Sequence, residues 1–334
     1  MADHDIGALR RALVSYRTPT LRRSVTQMAT TFLPLLAVYA AMYGALQYSV
    51  WLALVLAVPA AFFVVRAFII QHDCGHLSFF RAPWANHVAG TLCSLVTLTP
   101  YLAWRRQHAG HHGNWNNLGR RSSGLDIYSS CLTLAEYEAL TPGRRRLYRW
   151  SRHPVIALLL LPPLVFLLLY RVPFDTPSGW RLERAAVHLT NVALLLVFGG
   201  LGLAFGFGTV AIVELPVIAV AAMIGVWLFS IQHRFDGARW FESEEWTPAA
   251  ASLGGSSFLR LPRVLQWLSG NIGFHHVHHL DPRIPNYRLE ECHTALPALR
   301  TVEPLSLRRA LAGARLLLWD EAGGRMVAPP APAP

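Results

Sequence analysis

The sequence contains no lysine. All 30 of its basic residues are arginine, set against 19 acidic ones, so the net charge of +11 in a chain of 334 residues rests on guanidinium alone. We read this as a compositional bias served by an always-charged, bidentate group rather than as a motif. Charge of either sign is scarce: 15% of residues are charged and 53% are hydrophobic. Ordinary soluble domains carry about 25% charged residues, so the composition points to an integral membrane protein. The basic excess then suits a cytoplasmic face meeting anionic headgroups or an acidic protein, with no nucleic-acid partner expected. Cysteine is also scarce. Cys74, Cys93, Cys131 and Cys292 lie far apart with no CxxC, which argues against a disulfide framework or a zinc ribbon. No G-x-G-x-x-G follows a strand, so no flavin or nicotinamide fingerprint is present. The first 23 residues are polar and basic, without the apolar core of a signal peptide.

What is abundant is uncharged apolar sequence in blocks. Residues 24–65 hold no charge, enough for two spans of about 20 residues each, with a turn near Gln47-Tyr48-Ser49. Residues 185–232 hold only His188 and Glu214 as titratable groups, with a glycine-rich centre at Gly199, Gly200, Gly202, Gly206 and Gly208. The arginines before Ser24 place the N-terminus in the cytoplasm, and Arg66 is read as the return to that side. Trp84–Trp104 is apolar and broken at Thr99-Pro100; it is read as a re-entrant or interfacial hairpin. Val155–Tyr170 reaches about 24 Å at 1.5 Å per residue, less than the hydrocarbon core. It is read as dipping in and returning, a full crossing being the alternative. The expected fold is therefore all-α and membrane-integral. It has four transmembrane helices in two hairpins (about 24–70 and 185–232), re-entrant or interfacial helices, and a cytoplasmic cap built from lobes at about 105–154 and 233–320. Residues 1–23 form a cytoplasmic lead segment, 24–320 a single domain and 321–334 a disordered tail. Ser306–Trp319 reads as an amphipathic helix.

The remaining signal is histidine. Nine of the fifteen fall in three clusters: His72 and His76; His108, His111 and His112; and His275, His276, His278 and His279. Two histidines at i and i+4 share one helix face, and imidazole is the commonest side-chain metal ligand. Spacings H-x3-H, H-x2-H-H and H-x2-H-H give eight imidazoles, more than one ion needs. They suit two ions with about four nitrogens each. The match between the second and third clusters selects His275 over His276. Imidazole accepts iron, copper, nickel or zinc, so ligand type alone does not choose the metal. Asp73, between two ligands, is a candidate to orient a ring N–H. Asn271 could hold a metal-bound water or cap a helix. Glu290-Glu291-Cys292-His293 has no second copy and is read as coincidence. His87, His153, His188 and His293 are read as structural or surface residues.

These clusters resemble the histidine boxes of membrane fatty acid desaturases. His72-Asp73-Cys74-Gly75-His76 is similar to the first box. Asn271 to Leu280, followed by Arg283-Ile284-Pro285-Asn286-Tyr287, resembles the third-box region of bacterial omega-6 type enzymes. Gln232-His233-Arg234-Phe235 resembles the element whose histidine, here His233, is the ninth ligand. Gly124 to Tyr128 with Glu136-Tyr137 is similar to the region after box two, with Tyr128 where tryptophan is expected; Ala109 and Gly110 inside box two are also unusual. The resemblance covers roughly residues 20 to 320. It implies an oxidoreductase with two iron ions, held by His72, His76, His108, His111, His112, His233, His275, His278 and His279, and with dioxygen as co-substrate. It further implies an acyl-lipid or acyl-CoA/ACP substrate, an omega-6 (delta-12) preference for a monounsaturated chain, and an external ferredoxin or cytochrome b5-like electron donor, since no haem domain is fused. The expected location is a bacterial inner membrane with both termini and the site cytoplasmic. Tyr101, Trp104 and Tyr128 are candidates for the substrate tunnel wall. Hydroxylation on the same scaffold and metal transport are the competing readings.

Overall fold

Two helical hairpins carry most of the apolar sequence. The computed structural model describes residues 3–121 and 128–331. Helix α1 (Asp3–Leu13) leads into the first hairpin, α2 (Leu21–Ala45) and α3 (Val50–Gly75). Then come α4 (Pro83–Thr97), α5 (Tyr101–Asn114), the short α6 (Leu134–Ala139) and α7 (Pro142–Ser151), and the apolar α8 (Leu161–Leu167). The second hairpin is α9 (Arg181–Phe205) and α10 (Phe207–His233). A C-terminal lobe follows, with α11 (Pro248–Gly255), α12 (Arg263–Leu268), α13 (His275–Leu280), α14 (Asn286–Ala295) and α15 (Leu307–Ala312).

Helices α2, α3, α9 and α10 have 25, 26, 25 and 27 residues and are long and apolar enough to cross a membrane. At 1.5 Å per residue each exceeds the roughly 30 Å hydrocarbon core. The all-α architecture with two hairpins is thus the one expected. The turn before α3 lies where the sequence puts it, and Ser49 caps α3 by accepting the Trp51 amide proton. Between α9 and α10 stands a single residue, Gly206, at φ +88°, a backbone conformation that any side chain would strain.

Helix α3 occupies the middle. Its Ala57, Ala60, Ala61, Val64 and Val65 pack on Leu35 and Met42 of α2 and on Val213, Val217 and Ala221 of α10. Small residues along this seam let the backbones approach. The last turns of α3 and α10 therefore emerge side by side, carrying His72 and His233. The charge at Arg66, expected to mark the aqueous face, is buried within α3 instead. Its guanidinium donates to Thr31 Oγ1 at 3.1 Å and to the Trp267 carbonyl, and lies 4.0 Å from the Trp267 ring centroid. Those partners let the helix continue to Gly75.

The break at Thr99-Pro100 is present. Leu98 adopts φ +56° and ends α4, and Pro100 stands at the N-cap of α5. With 15 residues α4 spans about 22 Å, so the chain turns back and box two returns to the side of box one. Residues 155–171 form a π-helical turn, α8 and a 3₁₀ turn, bent by 47° from α7, with α8 packed on α10.

The C-terminal expectations need two corrections. Ser306–Trp319 is not one helix: α15 stops at Ala312, and after a 3₁₀ turn the run Leu316-Leu317-Leu318-Trp319 turns extended. Small parallel pairings tie this region down. β1 (Leu132–Thr133) pairs in parallel with β4 (Leu318–Asp320), and β2 (Phe258–Arg260) in parallel with β3 (Pro304–Ser306). Within the segment expected to be a disordered tail from 321, β5 (Arg325–Val327) is ordered: it pairs antiparallel with β4 and buries Met326 against Trp319 and Trp240. A strand pairing wins there because consecutive leucines and a tryptophan fill both faces of a small sheet, a pattern that helical periodicity does not serve.

Candidate metal centre

Four helix ends converge. The last turn of α3 brings His72 and His76, α5 brings His108, His111 and His112, α10 ends on His233, and α13 brings His275, His278 and His279. The potential ligand atoms of His72, His76, His108, His112 and His278 all lie within 4.8 Å of one another, as do those of His111, His233 and His279. His275 joins the second group, its Nε2 3.1 Å from His233 Nε2. All nine sequence candidates are thus brought together, in two adjacent sets. Helical geometry makes the division. Neighbouring residues point about 100° apart, so His111 and His112 face different sets, as do His278 and His279.

The nitrogen spacings are informative. His111–His233, His108–His112 and His112–His278 approach Nε2 to Nε2 at 3.0, 3.1 and 3.1 Å. Two nitrogens at right angles about one ion, each at roughly 2.1 Å, stand about 3.0 Å apart. These contacts have the spacing that the edges of a coordination shell would have. Burial holds His76, His108, His112, His275, His278 and His279 well below the ordinary imidazole range, so their lone pairs are free of protons at neutral pH. His76 Nε2 and both ring nitrogens of His279 are buried without a hydrogen-bond partner. Such atoms are costly unless something binds them, and the donor set fits a pair of nitrogen-ligated ions.

Asp73 holds one ring in place. Its Oδ1 lies 3.3 Å from His72 Nδ1, while its Oδ2 accepts from the Asn286 backbone N–H at 2.6 Å and side-chain Nδ2 at 2.8 Å. Asn286 Oδ1 in turn accepts from Gln27 at 2.9 Å. A buried chain therefore runs from α2 through α14 to the first box. Asn286 and Gln27 were not singled out in the sequence. Asn286 stands in the Arg283–Tyr287 motif, which was the available signal; nothing marked Gln27. Asn271 is one link further out: at φ +58° it donates through Nδ2 to the Asn286 carbonyl at 3.2 Å.

Aromatic rings wall the site. Trp104 stacks on His108 at 4.6 Å, Trp115 lies 4.3 Å from His279, and Phe229 lies 5.2 Å from His111. Behind α13, Leu9 and Leu13 of α1 pack with Val277, Ile284 and Leu289. Of the tunnel candidates, Trp104 also lines a narrow cleft with Pro100, Ala103, Tyr170 and Val187. Tyr101 lies in the core instead: its hydroxyl donates to the Cys74 carbonyl at 2.8 Å and its ring covers Gly90, where a Cβ would come within 2.4 Å. Tyr128 is half-buried; Gly124–Ile127 of its motif lie outside the described residues. Glu136 of the same motif is structural, completing a capping box with Thr133 and pairing with Arg121.

His276 stands apart from both sets. Its Nε2 meets His293 Nδ1 at 3.1 Å, and burial, with His293 beside it, pushes its pKa down to about 3. Of the two neighbours weighed in the sequence, His275 lies beside His233 and His276 beside His293. Glu291, from the tetrad read as coincidence, pairs with Arg23 and Arg288 at the surface.

Comparison with known proteins gives consistent results. The fatty acid desaturase family model matches residues 49–306. The chain is 39% identical over 95% of its length to a protein of Bacillus subtilis named fatty acid desaturase, covering 89% of that relative. It is 26% identical over 71% of its length to a Nostoc protein named sn-1 acyl-lipid omega-3 desaturase (ferredoxin). It is 25% identical over 69% of its length to a Picosynechococcus protein named sn-1 oleoyl-lipid 12-desaturase. It spans 64% of the length of each of these last two.

Proposed function

Because the chain belongs to the fatty acid desaturase family, and so to the oxidoreductases, we propose that it introduces a cis double bond into the acyl chain of a membrane lipid at a di-iron centre. The observation that carries this reading is the division of nine buried or half-buried histidines into two adjacent sets with ligand-edge spacings. Two irons, when bound, would supply dioxygen activation and the oxidising power to remove hydrogens from neighbouring methylenes. His72, His76, His108, His112 and His278 would hold one ion, and His111, His233, His275 and His279 the other. Asp73 keeps the His72 ring aimed by its contact at Nδ1. Trp104, Trp115 and Phe229 exclude water from a site whose oxidant must be shielded. Methylenes offer no chemical handle, so selection among them is a matter of position.

We take the substrate as a monounsaturated chain and the enzyme as omega-6 type, in line with the name of the Picosynechococcus relative. Electrons would come from a ferredoxin or cytochrome b5-like donor, the former in line with the name of the Nostoc relative. The test is expression in a host lacking polyunsaturated lipids, with fatty acid profiling by mass spectrometry. Oleoyl chains should become linoleoyl and stearoyl chains should stay unchanged. A new monounsaturated acid from saturated chains would overturn the substrate, and an alcohol product would favour hydroxylation.

The proposed topology puts both termini and the histidines on the cytoplasmic side of a bacterial inner membrane. Arg10, Arg11, Arg17, Arg22 and Arg23, with Arg144–Arg146, Arg149 and Arg152, support it. Reporter tags at the N-terminus, near Gly143 and at the C-terminus should all read cytoplasmic; a Gly143 tag on the outside would refute the return of the chain through α4 and α5.

The chain from Gln27 to His72 gives a milder expectation. Asn286→Ala removes a donor to Asp73 and should weaken metal affinity about 10–100-fold, the range for loss of an outer hydrogen-bond partner of a ligand. Competition with a chelator measures it, and an unchanged affinity would show that Asp73 needs no such support.

A further inference from the structure

Two tryptophans connect the histidines to the surface. Trp115 is the C-cap residue of α5 and is buried. Its ring centroid lies 4.3 Å from that of His279 and 5.9 Å from that of His112. Those two imidazoles stack at 4.1 Å with an interplanar angle of 14°, and they belong to different histidine sets. Trp115 therefore sits against a stacked pair that joins the two sets. Trp246 packs on it in turn, with ring centroids 5.5 Å apart at 81°. Trp246 is half-buried, and Glu242, Glu244, Glu245 and Thr247 around it are exposed. Carboxylates in that number belong to water and not to hydrocarbon. The chain of rings thus runs from an aqueous surface to both sets.

The loop that carries Trp246 is pinned to the segment after α5. The Phe241 amide donates to the Asn116 carbonyl at 3.0 Å, and the Leu118 amide donates to the Phe241 carbonyl at 2.9 Å. Ser243 Oγ donates to Asn117 Oδ1 at 3.0 Å, and Trp246 Nε1 donates to the Trp115 carbonyl at 2.8 Å. Trp115 has no such anchor at its own tip: its Nε1 is buried without a hydrogen-bond partner. A buried indole N–H usually finds one, and phenylalanine would fill the wall without leaving a donor unpaired. Shape alone does not explain an indole at this position. An extended, easily oxidised π-system between a surface ring and two ligand rings does. Trp104, in the first turn of α5, also stacks on a histidine, but it meets the cleft lined by Tyr170 and Val187 and not the acidic loop.

We propose that Trp246 and Trp115 are the route by which reducing electrons enter the metal centre, one at a time, from a one-electron carrier protein. The inference rests on the desaturase reading and specifies how its donor is coupled to the site. Taking two hydrogens from an acyl chain while one dioxygen becomes two waters consumes two further electrons and two protons. Each electron leaves the prosthetic group of the carrier, which is oxidised by one unit. It passes through the two rings to a ferric ion, which is reduced by one unit. No bond to either indole forms or breaks. Because Trp115 borders His112 and His279, the route serves both sets.

The experiment injects electrons without the natural carrier. All four native cysteines are buried, so a ruthenium photoreductant can be attached through Glu244→Cys, at an exposed position, on the iron-loaded, full-length protein. After a light flash, loss of ferric absorbance gives the rate of reduction. Trp246→Leu in this background should slow that rate several-fold. Trp246→Tyr, which keeps an oxidisable ring, should restore most of it. Iron content, and reduction by dissolved dithionite, should be the same in all three proteins. Equal flash rates in the parent and in Trp246→Leu overturn the route and leave the desaturase reading standing. Equal slowing by leucine and tyrosine, or a loss of iron that matches the slowing, assigns Trp246 to packing and also overturns the route. A parent protein that holds no iron overturns the reading and the route together.

Discussion

Replacing His278 with alanine should abolish turnover while leaving the protein in the membrane in normal amount. His278 places its Nε2 3.1 Å from His112 Nε2, with ring centroids 4.4 Å from His72 and 4.9 Å from His76. It is the one member of the five-histidine set that comes from the C-terminal lobe. Removing it takes a nitrogen from the shell and also opens a gap among three rings. The loss should exceed the roughly 10–100-fold that follows removal of an outer partner of a ligand. Helix α13 has six residues and lies outside the four long apolar helices, so membrane insertion should not depend on it. His87→Ala is the control: that ring lies against the Tyr101 hydroxyl at 3.4 Å, away from both sets. Lipid profiling and quantitative blotting of the membrane fraction measure the outcome, and a fully active His278→Ala protein would end the ligand assignment.

The second large effect concerns the metal itself. Protein purified from iron-replete cells should contain close to two irons per chain, because two adjacent sets of histidines with ligand-like spacing are present. His233→Ala should bring the content down toward one. His233 approaches both His111 and His275 at 3.0 and 3.1 Å, so its loss disrupts two edges of the second set and none that is seen in the first. Elemental analysis alongside protein quantification decides this. One ion per wild-type chain, or zinc as the sole metal recovered, would refute the di-iron proposal.

Much of the site was legible because helical spacing translates directly into shared faces. The i, i+3, i+4 pattern of His108, His111 and His112 and of His275, His278 and His279 is local information, and the structure turns it into two sets. The position of Asp73 between two histidines was equally local. What was not legible depends on side chains from distant segments. Gln27 sits in an apolar helix with nothing beside it in sequence to suggest that its amide reaches Asn286. Arg66 looked like a boundary because charge usually marks one; its burial depends on Trp267, two hundred residues away. Tyr101 looked like a wall of the site because it is near box two, yet its hydroxyl finds the Cys74 carbonyl and its ring finds Gly90. The end of the amphipathic reading at Ala312 has the same origin, since β1 and β5 supply the partners that make Leu318–Asp320 a strand.

The two histidine sets also set a timetable for biosynthesis. The first draws on residues between 72 and 112 and then on His278, the second on His111, His233, His275 and His279. Neither can close until the ribosome has translated nearly the whole protein, and α1, made first, must wait for Val277, Ile284 and Leu289 before Leu9 and Leu13 find their neighbours. If the two sets hold iron as proposed, the metal can enter only after α13 has been made, and a nascent chain stalled ahead of that helix would leave the earlier imidazoles without His275, His278 and His279.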